Sequence, residues 1–303
     1  MKFDVAVFGH TTIDFFFQGK SLTKKTDRFF LAIGGKYFAD AFAERVGGGG
    51  ANVAIGIARH KLSVGLISDI TSPPFDSIIK NRLDKEGVDY SFCREAEDEY
   101  NISCILLDKN GEKTVIAYTT PNKRFISAKR LDEVLESSRN FYFANLQEVP
   151  LIERIEILKK IKDKGGSVFS NLGVADCRRP YDELKEFFKY VDVVIQNTWE
   201  FADIVKKDRK QIDFSQNLQE IYGNFAGKIL VITDGRRGSW AYFESGVYHQ
   251  KAEKVKKIID ATGAGDAFTA GFISGFIKTK DIKKAMKAGS KYAAEILGRL
   301  GAN

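Results

Sequence analysis

The run Asp260-Ala261-Thr262-Gly263-Ala264-Gly265-Asp266-Ala267-Phe268, followed by Thr269 to Lys278 at helical spacing, gathers residues that can hold an anion and move a proton. Small residues opening a helix let backbone N–H groups converge on a phosphate, helped by a helix terminus that carries about half a positive charge. Asp266, in the first turn beside such a cradle, would repel the phosphate if binding were its whole purpose. It makes sense as the group that takes the proton from a hydroxyl attacking that phosphate. Read alone, Asp266 serves equally well to complement the helix dipole, a use worth ~0.3–1 kcal/mol.

A second run, Gly47-Gly48-Gly49-Gly50-Ala51-Asn52, leads into Val53, Ala54, Ile57 and Ala58. Consecutive glycines cost backbone entropy, so they belong where a β-carbon is not tolerated, at a turn or against a ligand. Asn52 is placed to cap the helix or to bond a ligand hydroxyl. The run is neither a GxxxxGK[ST] phosphate loop nor a GxGxxG fingerprint after the first strand. Asp14 follows the first strand unit, Asn197-Thr198-Trp199-Glu200 follows VDVVIQ, and Thr233-Asp234-Gly235-Arg236-Arg237-Gly238 follows KILVIT. Each fragment alone reads as a cap or turn. Their shared position at strand exits, where open α/β sheets bind ligands, favours a common site.

The elements that must position these residues alternate along the chain. Strands are expected at Phe3 to Phe8, Val64 to Ile67, Phe141 to Ala144, Val168 to Ser170, Val191 to Ile195 and Ile229 to Thr233. Helices are expected at Ala51 to His60, Phe75 to Glu86, Leu151 to Lys164 and Trp199 to Lys206. Strands separated by helices imply right-handed crossovers and an α/β fold: a doubly wound, mainly parallel sheet flanked by helices. Alternating or aromatic stretches at Ile13 to Phe17, Phe29 to Ile33 and Phe38 to Val46, with Ile102 to Asp108 and Thr114 to Tyr118, read as further strands. Lys109-Asn110-Gly111 is a hairpin signal. The two strand-rich insertions, about 13–46 and 97–120, are expected to pair as a small β-sheet lid on one domain of residues 1–303.

Composition removes several classes. The 303 residues are 44% hydrophobic and 29% charged, enough for a sizeable core without staples. Cys93, Cys104 and Cys177 have no CxxC spacing and cannot all pair, which argues against a disulfide framework or a cysteine zinc site and for the cytoplasm; Cys93 and Cys104 read as buried and inert. No apolar run approaches the ~18 residues of a membrane helix, and no signal peptide is expected. The net charge of +7 is modest, and its basic patches lack the interleaved aromatics of a nucleic-acid groove. Neither a membrane nor a nucleic-acid partner is expected. His10, at the first strand exit, is placed to line the site, whereas His60 and His249 read as surface or turn residues.

Taken together the motifs resemble the ribokinase-like (PfkB) carbohydrate kinases. DATGAGDAF is similar to the carboxyl-terminal signature of that family, GGGGANVA to its amino-terminal GGxxxN signature, Asn197 to Glu200 to its NxxE motif and TDGRRG to its TxGxxG motif, all in the family's order. The resemblance implies a Mg-ATP-dependent kinase of an alcohol. It makes Asp266 the general base and the amides of Gly263, Ala264 and Gly265 the anion hole. Asn197 and Glu200 would organise magnesium and phosphates through water, Thr233, Gly235 and Gly238 would hold the nucleotide, and Ser290 would be an adenine contact. Asp14, Gly48, Gly49 and Asn52 would meet the acceptor. Asp260 and Thr262 fall where some members bind an activating potassium ion.

The resemblance also implies a lid that forms a homodimer interface. Gly49 stands where several members carry lysine, which favours an unphosphorylated sugar or sugar-like alcohol; Asn171 stands where many relatives have Asp. Phe29, Phe30, Tyr37, Phe38 and Phe42 read as lid core or as a platform for a nucleobase. A nucleoside kinase on the same fold is the alternative, and a catalytically silent nucleotide-binding regulator is the alternative from another class.

Overall fold

Val5–Phe8 and Val64–Ile67 are buried at every residue, so both faces of the sheet they build are covered, the state expected of parallel strands under helices. The computed structural model describes every residue except 21, 23, 26–27, 96, 109–112, 121–125, 226, 245 and 300. The first half of the chain runs β1 (Val5–Phe8), β2 (Thr12–Gln18), β3 (Ala41–Gly47), α1 (Gly49–Arg59), β4 (Val64–Ile67), α2 (Asp76–Glu86), β5 (Asn101–Leu107), β6 (Lys113–Thr119), α3 (Ala128–Ser137) and β7 (Asn140–Phe143). The second runs α4 (Leu151–Asp163), β8 (Ser167–Ser170), α5 (Tyr181–Phe188), β9 (Val193–Asn197), α6 (Thr198–Val205), β10 (Ile229–Thr233), β11 (Ser239–Phe243), β12 (Gly246–Gln250), α7 (Ala264–Thr279) and α8 (Ile282–Leu297).

The large sheet has eight strands in the order β12-β11-β10-β9-β8-β7-β1-β4. Pairing is parallel from β4 to β10, and β11 and β12 add antiparallel at one edge. Alternate side chains of β1 go to opposite cores. Ala6 and Phe8 pack with Leu131, Leu158, Phe187 and Phe201 of α3 to α6. Val5 and Val7 pack with Val53, Ile79, Phe272 and Met286 of α1, α2, α7 and α8. The expected doubly wound sheet is present, with boundaries shifted by a few residues.

The lid is a four-stranded sheet in the order β6-β5-β2-β3. Its centre is a parallel pairing of the two insertions, with Asp14 opposite Ser103 and Phe16 opposite Ile105. Side chains two apart share a face. Phe16, Ile105 and Leu107 form a small buried core on the face that also carries Asp14 and Lys113. The other face presents Phe15, Phe17, Phe42, Ile116 and Tyr118. Phe42 stacks on Phe15 and tilts against Phe17, with ring centroids 6.1 and 5.3 Å apart, and stays 57% exposed.

Several expectations are corrected. Only Phe29 of the stretch 29–33 lies in a strand, the two-residue Arg28–Phe29 paired with Lys24–Lys25, and the strand expected from Phe38 begins at Ala41. Alternation does not make a strand where no partner ladder is offered, and Leu31, Ile33 and Phe38 are exposed. Phe30, Phe38 and Phe42 are exposed rather than lid core, and Phe42 lies on the lid face opposite Asp14. Asn52 does not cap α1, which starts at Gly49, but sits inside its first turn. Cys104 is half-exposed, whereas Cys93 and Cys177 are buried. His60, in the turn after α1, and His249, exposed on β12, are turn and surface residues as expected; His60 stands edge-on to Tyr292 and His249 stacks on Trp240. The hairpin signal at 109–111 lies outside the described residues. Among the described residues no helix is long and apolar enough to cross a membrane.

Candidate active site

Helix α7 begins at Ala264 with Gly263 as its cap at φ +71°. A β-carbon at Gly263 would stand 2.2 Å from Ala302 Cβ, so both conformation and space demand glycine there. Among the described residues the amides of Gly263 and Gly265 have no hydrogen-bond partner, and that of Ala264 makes only a long 3.4 Å turn bond to Ala261 O. Nothing described lies within 4 Å of a β-carbon built on Gly265. Donors without partners at a helix start, opening on clear space, are what an anion needs.

Asp266 projects beside this cradle. Its Oδ2 accepts from Asn52 Nδ2 at 2.7 Å, and Asn52 Oδ1 accepts from Asn303 Nδ2 at 2.9 Å. Asn303 Nδ2 also donates to Val46 O at 2.7 Å, so the Asn52 amide is held with its NH2 toward the carboxylate. Asp266 Oδ1 lies 3.7 Å from where a β-carbon of Gly49 would stand, facing the glycine run. Enclosure pushes the Asp266 carboxyl up to about 6; the Asn52 hydrogen bond opposes the rise, Asp14 adds to it and Lys113 opposes it. A carboxylate raised that far is a working proton acceptor near neutral pH.

The opposite wall comes from the lid and the first strand exit. Asp14 is buried, accepts from Thr12 Oγ1 at 3.0 Å, and is shifted upward, chiefly by burial. Gly48, at φ +90°, brings the backbone so close that a β-carbon would meet His10 O at 2.5 Å. Gly49 has room for a side chain and carries none. His10 Nε2 pairs with Glu148 Oε2 at 2.6 Å. Burial works against the Glu148 charge, but the His10 partner brings its carboxyl down to about 2.

Asn197 and Glu200 form a reciprocal cap on α6. Asn197 Oδ1 accepts from the amides of Trp199 and Glu200, each at 2.9 Å, and Glu200 Oε2 accepts from the Asn197 amide at 2.9 Å. Asn171 Nδ2 reaches the same Oε2 at 3.4 Å. Burial pushes Glu200 up to about 7, and the nearby Asp266 charge adds to the rise. Thr233 ends β10 directly opposite Asn197, and Gly235 and Gly238 shape the turn that follows. Ser290 is buried, and its hydroxyl donates to Lys251 O at 3.3 Å.

No group of three or more His, Cys, Asp or Glu able to hold a metal occurs among the described residues. Magnesium suits such a site only with most of its shell taken from phosphates and water. The expected potassium position does not fit its side chains. Asp260 Oδ1 accepts from the Thr262 amide at 2.9 Å and its hydroxyl at 2.6 Å, and Asp260 Oδ2 from the Gly301 amide at 3.0 Å. Lys113 Nζ stands 3.9 Å from the same carboxylate and donates to Thr262 Oγ1.

Lys113, Asn303 and Glu148 escaped the sequence reading. Glu148 follows β7 and was within reach of the strand-exit rule that found Asp14, Asn197 and Thr233. Lys113 and Asn303 have no local signal.

A profile of the pfkB family carbohydrate kinases matches residues 2–303. The chain is 28% identical over 284 residues to the 5-dehydro-2-deoxygluconokinase of Bacillus subtilis (strain 168), covering 85% of this chain and 82% of that one. Arabidopsis thaliana ribokinase complexed with ribose and ATP has the same fold at a TM-score of 0.83 and 20% identity, covering 100% of this chain and 95% of that one. The Methanocaldococcus jannaschii nucleoside kinase aligns at a TM-score of 0.76 and 20% identity, covering 99% and 94%.

Proposed function

The chain belongs to the pfkB family of carbohydrate kinases, and from that premise we propose that it transfers the γ-phosphate of ATP to a hydroxyl of an unphosphorylated sugar or sugar-like alcohol. The observation that carries this reading is Asp266: one carboxylate oxygen is fixed by Asn52, the other faces the glycine run, and open amides lie beside it. Asp266 takes the proton of the attacking hydroxyl, and the amides of Gly263, Ala264 and Gly265 receive the phosphoryl oxygens. Asp14, Asn52 and the backbone at Gly48 and Gly49 hold the acceptor. Thr233, Gly235 and Gly238 hold the nucleotide. Asn197 and Glu200 order the phosphates and magnesium through water. Magnesium, when bound, neutralises phosphate charge as it builds up on the leaving group.

The bare backbone at Gly49 supports an unphosphorylated acceptor, since no cation is offered there to an acceptor phosphate. Phe15, Phe17 and Phe42 lie on the lid face opposite Asp14 and offer no platform beside it, which ranks a sugar ahead of a nucleoside. Their exposed face supports a homodimer formed lid to lid, because a four-stranded sheet with one apolar face uncovered is marginal alone.

The test is phosphoryl transfer from Mg-ATP to a panel of ribose, fructose, other ketoses, polyols, keto-deoxy acids and nucleosides. Turnover is expected on a free sugar or sugar acid. Turnover confined to nucleosides overturns the acceptor assignment.

A further inference from the structure

The ladder between β8 and β9 ends at Ser170 and Val194, whereas that between β9 and β10 runs on to Asn197 and Thr233. Two side-chain amides take over where the β8 ladder stops. Asn171 Nδ2 donates to Ile195 O at 2.8 Å. Gln196, set in the orientation that gives both ends of its amide a partner, accepts from the Leu172 amide at 2.7 Å and donates to Leu172 O at 3.0 Å and to Glu200 Oε2 at 2.7 Å. Its own carbonyl accepts from the Thr233 hydroxyl at 3.4 Å. Gln196 therefore joins three strand exits and touches both nucleotide-side motifs.

Burying an amide costs stability unless its donors and acceptor are met. Gln196 is buried and follows an apolar run, Val193, Val194 and Ile195. Its two bonds to Leu172 extend the sheet and would justify an amide on structural grounds. The bond to Glu200 is not needed for the fold, because Oε2 already accepts from the Asn197 amide and α6 already has its cap.

The consequence is an asymmetric carboxylate. Glu200 Oε2 receives the Asn197 amide at 2.9 Å, Gln196 Nε2 at 2.7 Å and Asn171 Nδ2 at 3.4 Å, while among the described residues Oε1 accepts from none. The last torsion of a glutamate is broad and roughly two-fold, so an unheld carboxylate exchanges its oxygens. Donors from three positions on one oxygen remove that freedom.

We propose that Gln196 is the positioning residue for Glu200, fixing Oε2 so that Oε1 is held ready for the hydrated magnesium that accompanies the nucleotide. The proposal rests on the kinase reading above. Magnesium demands near-ideal octahedral geometry and keeps several of its waters, so a fixed oxygen serves it better than a rotating one. Placing that oxygen before the ligand arrives removes an ordering cost from binding. Gln196 itself acts only through Glu200.

The experiment is calorimetry of the full chain with ADP, once with a chelator and once with magnesium, the ratio of the two affinities being the gain from the metal. Gln196→Met keeps the length of the side chain and removes its donors. It should cut that gain by about 10-fold, toward the lower end of what a hydrogen bond to a charged group is worth, while ADP without magnesium binds within about twofold. In a Glu200→Gln background the same substitution should change the gain by less than about twofold, because the two residues act as a unit. In turnover assays the magnesium concentration for half-maximal rate should rise by a similar factor, with kcat at saturating magnesium almost unchanged. A gain that survives in Gln196→Met overturns the proposal, as does an equal loss of ADP affinity with and without metal, which marks a structural glutamine. So does a loss that adds in full to that of Glu200→Gln, or an unmodified protein that binds ADP with no gain from magnesium. If Gln196→Met does not fold, a crystal structure of the unmodified protein with magnesium and ADP decides. Oε2 still on the Gln196 amide upholds the assignment, and Oε2 turned to the metal's waters with the amide left behind overturns it. An unmodified protein that binds no ADP overturns the kinase reading itself, an outcome distinct from these.

Discussion

The two walls of the cleft are made of different materials. On the body side the working groups are mostly backbone: open amides at the start of α7, a glycine at φ +71° that no other residue replaces, and one carboxylate fixed by Asn52. On the lid side the polar groups are side chains, Asp14 and Lys113, carried on a thin sheet whose other face is apolar and exposed. A wall of backbone donors cannot be retuned by substitution without losing the helix start, whereas side chains on a sheet change one at a time. The division suits a protein whose bond-making step is fixed and whose choice of acceptor is adjustable.

The sharpest test of this division is Asp266→Asn. The rate should fall by about 10²–10⁴, the range for a general base, with ADP affinity measured by calorimetry almost unchanged. In the unmodified enzyme kcat/KM should fall as pH drops through about 6, because Asp266 must be ionised to accept a proton and its carboxyl is raised to about that value.

Next in size, Asp14→Ala should raise the KM for the acceptor by about 10- to 100-fold, corresponding to ~1.5–3 kcal/mol for hydrogen bonds to a charged group, and leave the KM for ATP alone. Loss of ATP use instead would erase the distinction between the walls.

The back of the lid gives a smaller effect on turnover and a clear one on assembly. Phe42→Ser combined with Phe17→Ser should convert dimers to monomers in sedimentation at micromolar concentration. If the unmodified protein sediments as a monomer with full activity, the exposed aromatics do not join two copies.

The smallest change is expected from Asn303→Ala. It removes the donor that orients the Asn52 amide, and since the Asn52 bond lowers the Asp266 pKa, the acid limb of the pH profile should move upward with only a few-fold loss of rate.

What the sequence made legible follows the same line. The turn, helix start and carboxylate of the cradle lie within the nine residues from Asp260 to Phe268 and are set by local chemistry, and the alternation of strands and helices was enough to recover the six parallel strands of the large sheet but not the antiparallel edge pair β11 and β12. Lys113 meets Thr262 across 149 positions and Asn303 meets Asn52 across 251. Those contacts depend on the parallel register of β2 with β5 and on the final residues folding back, neither of which any short window encodes. Position 29–33 failed for the related reason that a strand pattern is realised only when a partner is present. Asn197 to Glu200 was found as a motif, but its geometry as a reciprocal cap shows that the same four residues also start α6.

The bond from Asn303 to Asn52 has a consequence for how the protein is made. Asn52 and Asp266 are 214 positions apart, and the amide that aligns them comes from residue 303. During translation, which proceeds at about 5–20 residues per second with amino-terminal parts folding first, the four lid strands and all eight strands of the large sheet are synthesised before Asp266. A nascent chain on the ribosome therefore carries much of the scaffold before the pairing of Asn52 with Asp266, and its alignment by Asn303, can form.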